Sequence, residues 1–357
     1  MNLHLDQQAF RVLLEDIHGK TGYRMDVLEK DYYVVLILSE LAQMQQDGLP
    51  ACFKGGTALY KALKTTKRFS EDIDLSVDTR ECSRTQNDKR LERATKKFKS
   101  LPRDAAQGKT NRSEVVSVYH YDPVTGYDAD DALQRFGKVK IEAASFTISE
   151  PFDDMEVSPL LYDLASDEQK TILRQNYGVV PFPVQTITLE RIFVDKLFAA
   201  EAYVRGADKT NRAFEAAKHI YDLAVMVEHP QIELMLADPA QMKRLLKIRL
   251  EEEWGRLDGV PGVSPKDFVF FTQATRHGNI RRAYETMQNQ YVLRSVDRIE
   301  FEAAMAALQA IHERLLQNPA WTQARVSATA QLKRSAAEKN GRPLPQKSSK
   351  REREPER

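Results

Sequence analysis

The sequence predicts an α/β protein of the α+β type, with an N-terminal lobe built on a mixed sheet and a helical C-terminal lobe. The first supporting observation is the order strand, Gly-Gly turn, helix and strand over residues 51–77. The second is the helical spacing of nearly all apolar residues from residue 188 onward. The chain has 357 residues, of which 42% are hydrophobic, so it is long enough to bury two cores.

Changes in hydrophobic period define the elements of the N-terminal lobe. Ile73, Leu75 and Val77 alternate with polar residues, as in a strand with one buried face. Thr57 follows the Gly-Gly turn and can cap a helix. The predicted elements are helices over 6–19 and 26–46, a strand at 51–53, a helix after Gly55-Gly56, a strand at 72–77, a basic helix and then a polar loop over 81–112, strands at 115–121 and 139–148, and an irregular segment over 151–183.

The C-terminal half is predicted to be helical, with glycine and proline separating the helices. The predicted helices cover residues 188–205, 212–229, 233–254, 265–290 and 296–317. The last residues are charged, with almost nothing to bury, which is typical of a disordered tail. We therefore predict three regions, an α/β domain with its N-terminal helices over 1–205, a helical domain over 206–330 and a basic tail over 331–357.

Composition excludes several classes of protein. Only two cysteines are present, so neither a disulfide framework nor a cysteine-based zinc site is expected. The first residues lack the layout of a signal peptide, and the longest apolar run, Tyr32–Leu38, is too short to span a bilayer. A cytoplasmic protein without a membrane partner is expected. Its net charge is only +1, but basic residues cluster locally and can form positive patches for a polyanion.

Asp72 and Asp74 are the leading candidates for chemistry. Two carboxylates two residues apart on a strand project from the same face, and they repel each other unless a cation lies between them. Mg²⁺ (or Mn²⁺) suits such a site because it prefers oxygen ligands and bridges to substrate phosphates. Gly55 and Gly56 allow a close backbone approach before a helix, which favours a phosphate group. Taken alone, the carboxylates together with Glu71 could equally form a solvated acidic strand edge.

Four segments resemble a known family. The stretch Phe53–Leu59, continuing over Arg68–Ser76, resembles the signature of the AbiEii/AbiGii toxin family, which contains nucleotidyltransferases of the DNA polymerase β type. Three further segments follow the family in order. They are Leu28–Tyr33, which resembles its lead-in helix, Leu189–Leu197, which resembles its acidic-lysine motif, and Lys218–Leu223, which resembles its last motif.

The resemblance implies a polymerase-β-type lobe and assigns roles to residues. It implies that Asp72 and Asp74 bind the catalytic metal, that Lys196 contacts the nucleotide phosphates and that Asp222 completes the catalytic set. Glu142 is the candidate for the third metal ligand that such enzymes take from a later strand. The signature also makes a group of residues candidates for binding the nucleotide and its phosphates, namely Gly55, Gly56, Thr57, Arg68 and Ser70.

Each later candidate also has a plainer interpretation. Lys196 could be a surface lysine paired with Asp195 or Glu201, and Asp222 could be an exposed carboxylate paired with Lys218. Glu142 could simply be a strand residue. The basic helix over 88–99 has an apolar stripe of Leu91, Ala94 and Phe98, and its basic face could be merely solvated or could contact RNA near the acidic strand.

The resemblance implies transfer of a nucleoside monophosphate from a nucleoside triphosphate (NTP) to RNA, with the tRNA 3′ end as the expected acceptor. The outcome would be growth arrest or phage defence, restrained by an antitoxin encoded nearby. One alternative keeps the chemistry but makes the acceptor a protein or a small molecule. Another is a non-catalytic module of the same fold that binds GTP or nucleic acid.

Overall fold

The computed structural model describes residues 1–111, 113–126, 136–253, 259–274, 277–324 and 332. The chain forms two compact units. The first consists of Met1–Leu189 together with Gln290–Arg298, and the second of Glu190–Asn289 and Ile299–Arg357. Whereas the sequence prediction divides the domains after residue 205, the compact units divide at residue 189, and the chain later returns to the first unit. The predicted disordered tail lies outside the described residues, apart from Leu332.

The first unit contains a seven-stranded sheet in the order β3-β4-β5-β2-β1-β7-β6. β2 lies between β1, to which it is antiparallel, and β5, to which it is parallel. This mixed sheet confirms the predicted α/β class. The strands are β1 (Ala51–Lys54), β2 (Ile73–Val77), β3 (Arg103–Thr110), β4 (Glu114–His120), β5 (Lys138–Ala144), β6 (Phe152–Val157) and β7 (Phe182–Ile187).

The helices of the first unit begin and end at recognisable signals. Asp6 caps the first helix by accepting a hydrogen bond from the Ala9 amide, and Gly22 ends that helix in the left-handed conformation. Ser83 caps the fourth helix in a capping box with Gln86. The helices are α1 (Gln7–Thr21), α2 (Met25–Gln46), α3 (Gly55–Lys61), α4 (Arg84–Lys96), α5 (Leu160–Asp163) and α6 (Asp167–Tyr177).

Three consecutive charged residues of α2 are buried, and each is bound to a different part of the unit. Glu29 accepts a hydrogen bond of 2.7 Å from the Val124 amide. Lys30 donates to the carbonyl oxygen of Lys138 at the start of β5. Asp31 forms an ion pair with Lys61 of α3, with 2.8 Å between Oδ1 and Nζ. Buried charges require such partners, so this segment fixes α2 against the strand and helix that carry the site.

The sheet has one apolar face near the site. Ile73 and Leu75 of β2 are fully buried on it, beside Ile141 of β5. Tyr119 of β4 shares this face by strand register, and its hydroxyl donates to the carbonyl oxygen of Thr95 in α4. α4 therefore covers the apolar face. Because side chains alternate along a strand, the side chains of Asp74 and Glu142 project from the opposite face.

The second unit is helical in its named elements within the described residues. α13 packs on α8, and α10 packs on α14, whose Trp321 is almost completely buried. Pro239 begins a new helix immediately after α9, so the single helix predicted over 233–254 is two. The helices are α7 (Leu189–Val204), α8 (Thr210–Met226), α9 (Pro230–Ala237), α10 (Pro239–Glu252), α11 (Phe270–Gln273), α12 (Gly278–Tyr291), α13 (Phe301–Gln317) and α14 (Pro319–Thr322).

Two predicted irregular segments are ordered. The expected loop before residue 112 contains β3, and the expected irregular stretch over 151–183 contains β6, α5, α6 and the start of β7. No helix among the described residues combines the length and the apolar character that crossing a membrane requires.

Candidate active site

The turn between β1 and α3 lies directly against the acidic strand. Gly55 has φ +81°, and a Cβ atom at this position would lie 2.2 Å from Oδ2 of Asp74. Both the conformation and the contact exclude any other residue without movement of the site. The sequence signature therefore has a direct physical meaning, since Gly55 lets the backbone reach the carboxylate.

The second glycine brings the segment before β2 onto the same turn. A Cβ atom at Gly56 would lie 2.8 Å from both Arg68 Nη2 and Ser70 Oγ. The sequence suggested that Thr57 caps α3, but in the structure it does not. Its buried hydroxyl donates to the carbonyl oxygen of Asp72 at 2.5 Å, and 3.0 Å separates it from Ser70 Oγ. The structure thus brings these signature residues together around the approach to Asp72.

Three carboxylates meet on one face of the sheet. Asp74 pairs in register with Glu142 of the neighbouring strand β5, and Asp72 immediately precedes β2. Since β2 lies between two other strands, the interpretation of a solvated strand edge is wrong. The side chains of Asp72 and Glu142 are 39% and 33% exposed, so a ligand can reach both.

Burial and the neighbouring carboxylate of Glu142 raise the pKa of Asp74 to about 7, against an ordinary value of 3.8. Lys54, which pairs with Asp74 across β1 and β2, opposes this shift with its positive charge. The cluster is therefore short of positive charge, and a cation would stabilise its fully ionised form.

Lys140 lies among these carboxylates, and sequence analysis gave it no role. Its Nζ is 2.8 Å from Asp72 Oδ2 and 2.7 Å from Glu142 Oε1. Burial lowers its pKa, but the charges of Asp72 and Glu142 outweigh that effect and raise it overall. The available signal was the alternation of Lys138, Lys140 and Glu142 along β5, which places all three on the carboxylate face.

The carboxylates fit a hard divalent cation in their chemistry and in their common face. Carboxylate oxygens are the ligands that Mg²⁺ and Mn²⁺ prefer, and the raised pKa of Asp74 indicates uncompensated negative charge. The side chains are not arranged as a finished site, however. In the part of the chain that the structure describes, no three Asp, Glu, His or Cys side chains form a metal-binding group. The Lys140 ammonium contacts two of the carboxylates instead.

Lys196 of α7 and Asp222 of α8 form a buried ion pair in the second unit. Their Nζ and Oδ2 atoms are 2.7 Å apart, and the side chains are 7% and 0% exposed. Lys218, the alternative partner suggested for Asp222, pairs with Glu215. Neither residue is therefore an ordinary exposed helix charge. Their assignment to the catalytic set stays a prediction.

The other alternative partners of Lys196 are bound elsewhere. Asp195 lies 3.3 Å from Arg191 and 3.2 Å from Arg249. Glu201 pairs with Arg205 and accepts a hydrogen bond from the Phe270 amide. The family resemblance named Lys196 and Asp222 separately, but it gave no indication that they bind each other.

One protein family matches most of this chain. Residues 36–310 match the model of a family described as "Nucleotidyl transferase AbiEii toxin, Type IV TA system". The chain belongs to the AbiEii family. It is thus a nucleotidyltransferase toxin of a type IV toxin–antitoxin system, and the family implies an antitoxin as partner. No curated protein matches the chain by sequence.

Solved structures of two organisms are similar to this AbiEii protein. MenT4, a nucleotidyltransferase toxin from Mycobacterium tuberculosis H37Rv, is 13% identical, with a TM-score of 0.41 over 85% of this chain and 98% of its own. JHP933 from Helicobacter pylori is 14% identical, with a TM-score of 0.34 over 80% and 94%. A putative nucleotidyltransferase from H. pylori is 15% identical, with a TM-score of 0.32 over 78% and 94%. The assignment to the AbiEii family rests on the family match and not on these likenesses.

Proposed function

We propose that this AbiEii protein transfers a nucleoside monophosphate from an NTP to the 3′ end of a tRNA, with Mg²⁺ or Mn²⁺ as cofactor. The observation that carries the proposal is the meeting of Asp72, Asp74 and Glu142 on one face beside the turn at Gly55. Transfer of this kind would stop growth or protect a population against phage until the antitoxin restrains it. Its substrates, NTP and tRNA, place the reaction in the cytoplasm.

We assign metal binding to all three carboxylates and proton transfer to one of them. Asp72, Asp74 and Glu142 would hold the cation, which would neutralise charge on the triphosphate and help to align its α-phosphorus. Glu142 is 33% exposed and would accept the proton of the attacking hydroxyl. Pyrophosphate then leaves as the new phosphodiester bond forms. Positioning and charge stabilisation supply most of the catalysis, without a covalent intermediate.

The turn and the second unit supply further proposed roles. Because Gly55 and Gly56 have no side chains, the backbone of the turn lies close to Asp74 on one side and to Arg68 and Ser70 on the other, and we assign the phosphate to this turn. Arg68 and Ser70, which border Gly56, would contact that phosphate, and Thr57 would position Asp72 through its carbonyl oxygen. Lys196 would bind the triphosphate, with Asp222 orienting its ammonium through their ion pair.

The basic helix is a weaker candidate for RNA contact than the sequence suggested. α4 packs on the apolar face of the sheet, opposite Asp74 and Glu142. It therefore does not border the carboxylates, although it follows β2 in sequence. We assign acceptor binding to the carboxylate face instead, where Lys138 and His120 extend the row beyond Lys140.

The test is incorporation of label from each α-labelled NTP, with Mg²⁺ and total cellular RNA. Asp72→Ala and Asp74→Ala are compared with Asp78→Ala, which removes a carboxylate just beyond β2 that pairs with Arg80. We expect label in tRNA-sized RNA, lost by at least about a hundredfold in the first two variants and retained in the third. Label on protein would overturn the acceptor, and the absence of label with every nucleotide would overturn the proposed reaction.

A further inference from the structure

We propose that the Lys140 ammonium is a built-in counter-ion that competes with the divalent cation for Asp72 and Glu142. The inference rests on the proposed function, because it assumes that these carboxylates hold the metal. It adds a residue that sets how tightly the metal binds. In the metal-free protein the ammonium occupies the carboxylates, and metal binding must displace it from at least one of them.

The contacts make Lys140 a bridge between the two carboxylates. The two N–O distances, 2.8 Å to Asp72 and 2.7 Å to Glu142, are those of strong charge-assisted hydrogen bonds. The two carboxylates come from different strands, β2 and β5, so a single ammonium holds both. A divalent cation would be coordinated by the same oxygen atoms.

Charge makes the two cations mutually exclusive at close range. A doubly charged ion and an ammonium that share the same carboxylate oxygen atoms repel each other, because water screens charges poorly at contact distance. The lysine can leave without rebuilding the strand, because its ammonium ends a flexible four-carbon stem and its side chain is 38% exposed. The attraction between the metal and the carboxylates favours binding. Breaking the contacts of Lys140 with those carboxylates costs free energy, so the metal binds more weakly than it would without Lys140.

Lys138 provides a matched control. It lies two residues earlier on β5, on the same face of the sheet, and carries the same charge. Its strand partner is His120 of β4, whereas Lys140 is the residue that contacts both carboxylates. Removing Lys138 changes the general electrostatic field but leaves the bridge intact.

The experiment is calorimetric titration of the full-length protein with Mn²⁺ in the absence of nucleotide. We expect Lys140→Met to bind Mn²⁺ about tenfold more tightly than the unsubstituted protein, equivalent to about 1.4 kcal/mol. Lys140→Arg, which keeps the charge, and Lys138→Met should each stay within about threefold of the unsubstituted protein. Lys140→Gln is the second neutral variant, in case Lys140→Met does not fold.

The outcomes separate the inference from the proposed function. If both neutral variants fold and bind Mn²⁺ no more tightly than the unsubstituted protein, the competition is overturned. If Asp74→Asn loses Mn²⁺ binding in the same experiment, the proposed metal site still stands. The absence of Mn²⁺ binding in every protein, including the unsubstituted one, removes the metal from the proposed function and the competition with it. Equal gains in Lys140→Met and Lys138→Met would also overturn it, because the bridge would then have no special effect.

Discussion

At the scale of single residues, the surroundings of Asp74 disfavour the ionised form of its carboxyl group. This carboxyl has a raised pKa because it is partly buried and faces Glu142 across the strand pair. Gly55 lies beside this carboxyl without a side chain, and a Cβ atom at its position would stand 2.2 Å from Oδ2 of Asp74. Charged groups in unfavourable surroundings are common at functional sites, where a protein gives up stability for function.

Asp74→Asn should stabilise the metal-free protein, and more so at high pH. The folded-state pKa of about 7 exceeds the unfolded value of 3.8, so Asp74 favours the folded state only while protonated. Its contribution to the free energy of unfolding therefore falls as pH rises from about 4 to 7. We expect Asp74→Asn to gain of the order of 1 kcal/mol over the unsubstituted protein at pH 8, and less at pH 5.

The measurement is urea unfolding with a chelator present, at both pH values. Asp78→Asn serves as the control, because the Arg80 guanidinium holds the pKa of Asp78 below its ordinary value. Its effect should have the opposite sign, a loss of stability at pH 8. A gain for Asp74→Asn that is the same at pH 5 and pH 8 would contradict a raised pKa.

At the scale of elements, the sequence predicts best where a strand or helix has one buried side. β2 alternates apolar and polar residues because one face carries Ile73, Leu75 and Val77 and the other carries Asp74 and Ser76. The stripe of Leu91, Ala94 and Phe98 is buried as predicted. β3 and β6 were missed because they are edge strands whose residues are mostly exposed, and they carry no alternating apolar pattern.

The remaining errors have similar causes. β7 contains Pro183, a residue that argues against a strand inside a sheet, although it pairs with Glu156 of β6. Within the site, sequence spacing predicts that Asp72 and Asp74 share a face, whereas Glu142 was a candidate through the family resemblance. The bridge made by Lys140 depends on which strands are neighbours, and that pairing is fixed by the tertiary fold.

α2 and α3 are joined by a buried ion pair whose loss should be costly. Asp31 and Lys61 are 1% and 4% exposed, and Asp31 also accepts a hydrogen bond of 2.6 Å from the Leu160 amide. Removing either charge leaves the other buried without its partner. We expect Asp31→Leu and Lys61→Met each to lower the free energy of unfolding by about 3 kcal/mol, and the double variant to recover part of that loss.

Thermal and urea unfolding of the three variants measure this coupling. The exposed pair Lys20 and Asp16, at 57% and 36% exposure, gives the comparison. Lys20→Met should change stability by no more than about 0.5 kcal/mol. Strictly additive losses in the double variant would show that the two buried charges do not stabilise each other.

At the scale of the whole molecule, the two compact units are not consecutive in sequence. The chain leaves the first unit after Leu189, returns for Gln290–Arg298 and leaves again. The returning segment is bound to the segment before β2, because the Phe69 amide donates to the carbonyl oxygen of Tyr291 at 2.6 Å and Arg68 forms a bridge with Val292. The segment before Asp72 is thus held by residues far along the chain.

The first unit should therefore need its returning segment. A polypeptide of residues 1–189 is compared with one in which residues 290–298 are attached through a long Gly/Ser linker. We expect the linked form to unfold at a temperature several degrees higher, since it restores two backbone contacts worth about 1 kcal/mol each. Circular dichroism during heating measures both midpoints. Equal midpoints, or failure of the linked form to fold, would contradict a structural role for this segment.

The return of the chain at Gln290–Arg298 also limits how such a gene can be rearranged. A single recombination junction before residue 290 would give the segment before β2, at Arg68 and Phe69, a foreign partner in place of Tyr291 and Val292. A junction after residue 298 would leave most of the helical unit behind with the old sheet. A single junction therefore cannot exchange the helical unit alone, because residues 290–298 belong to the first unit.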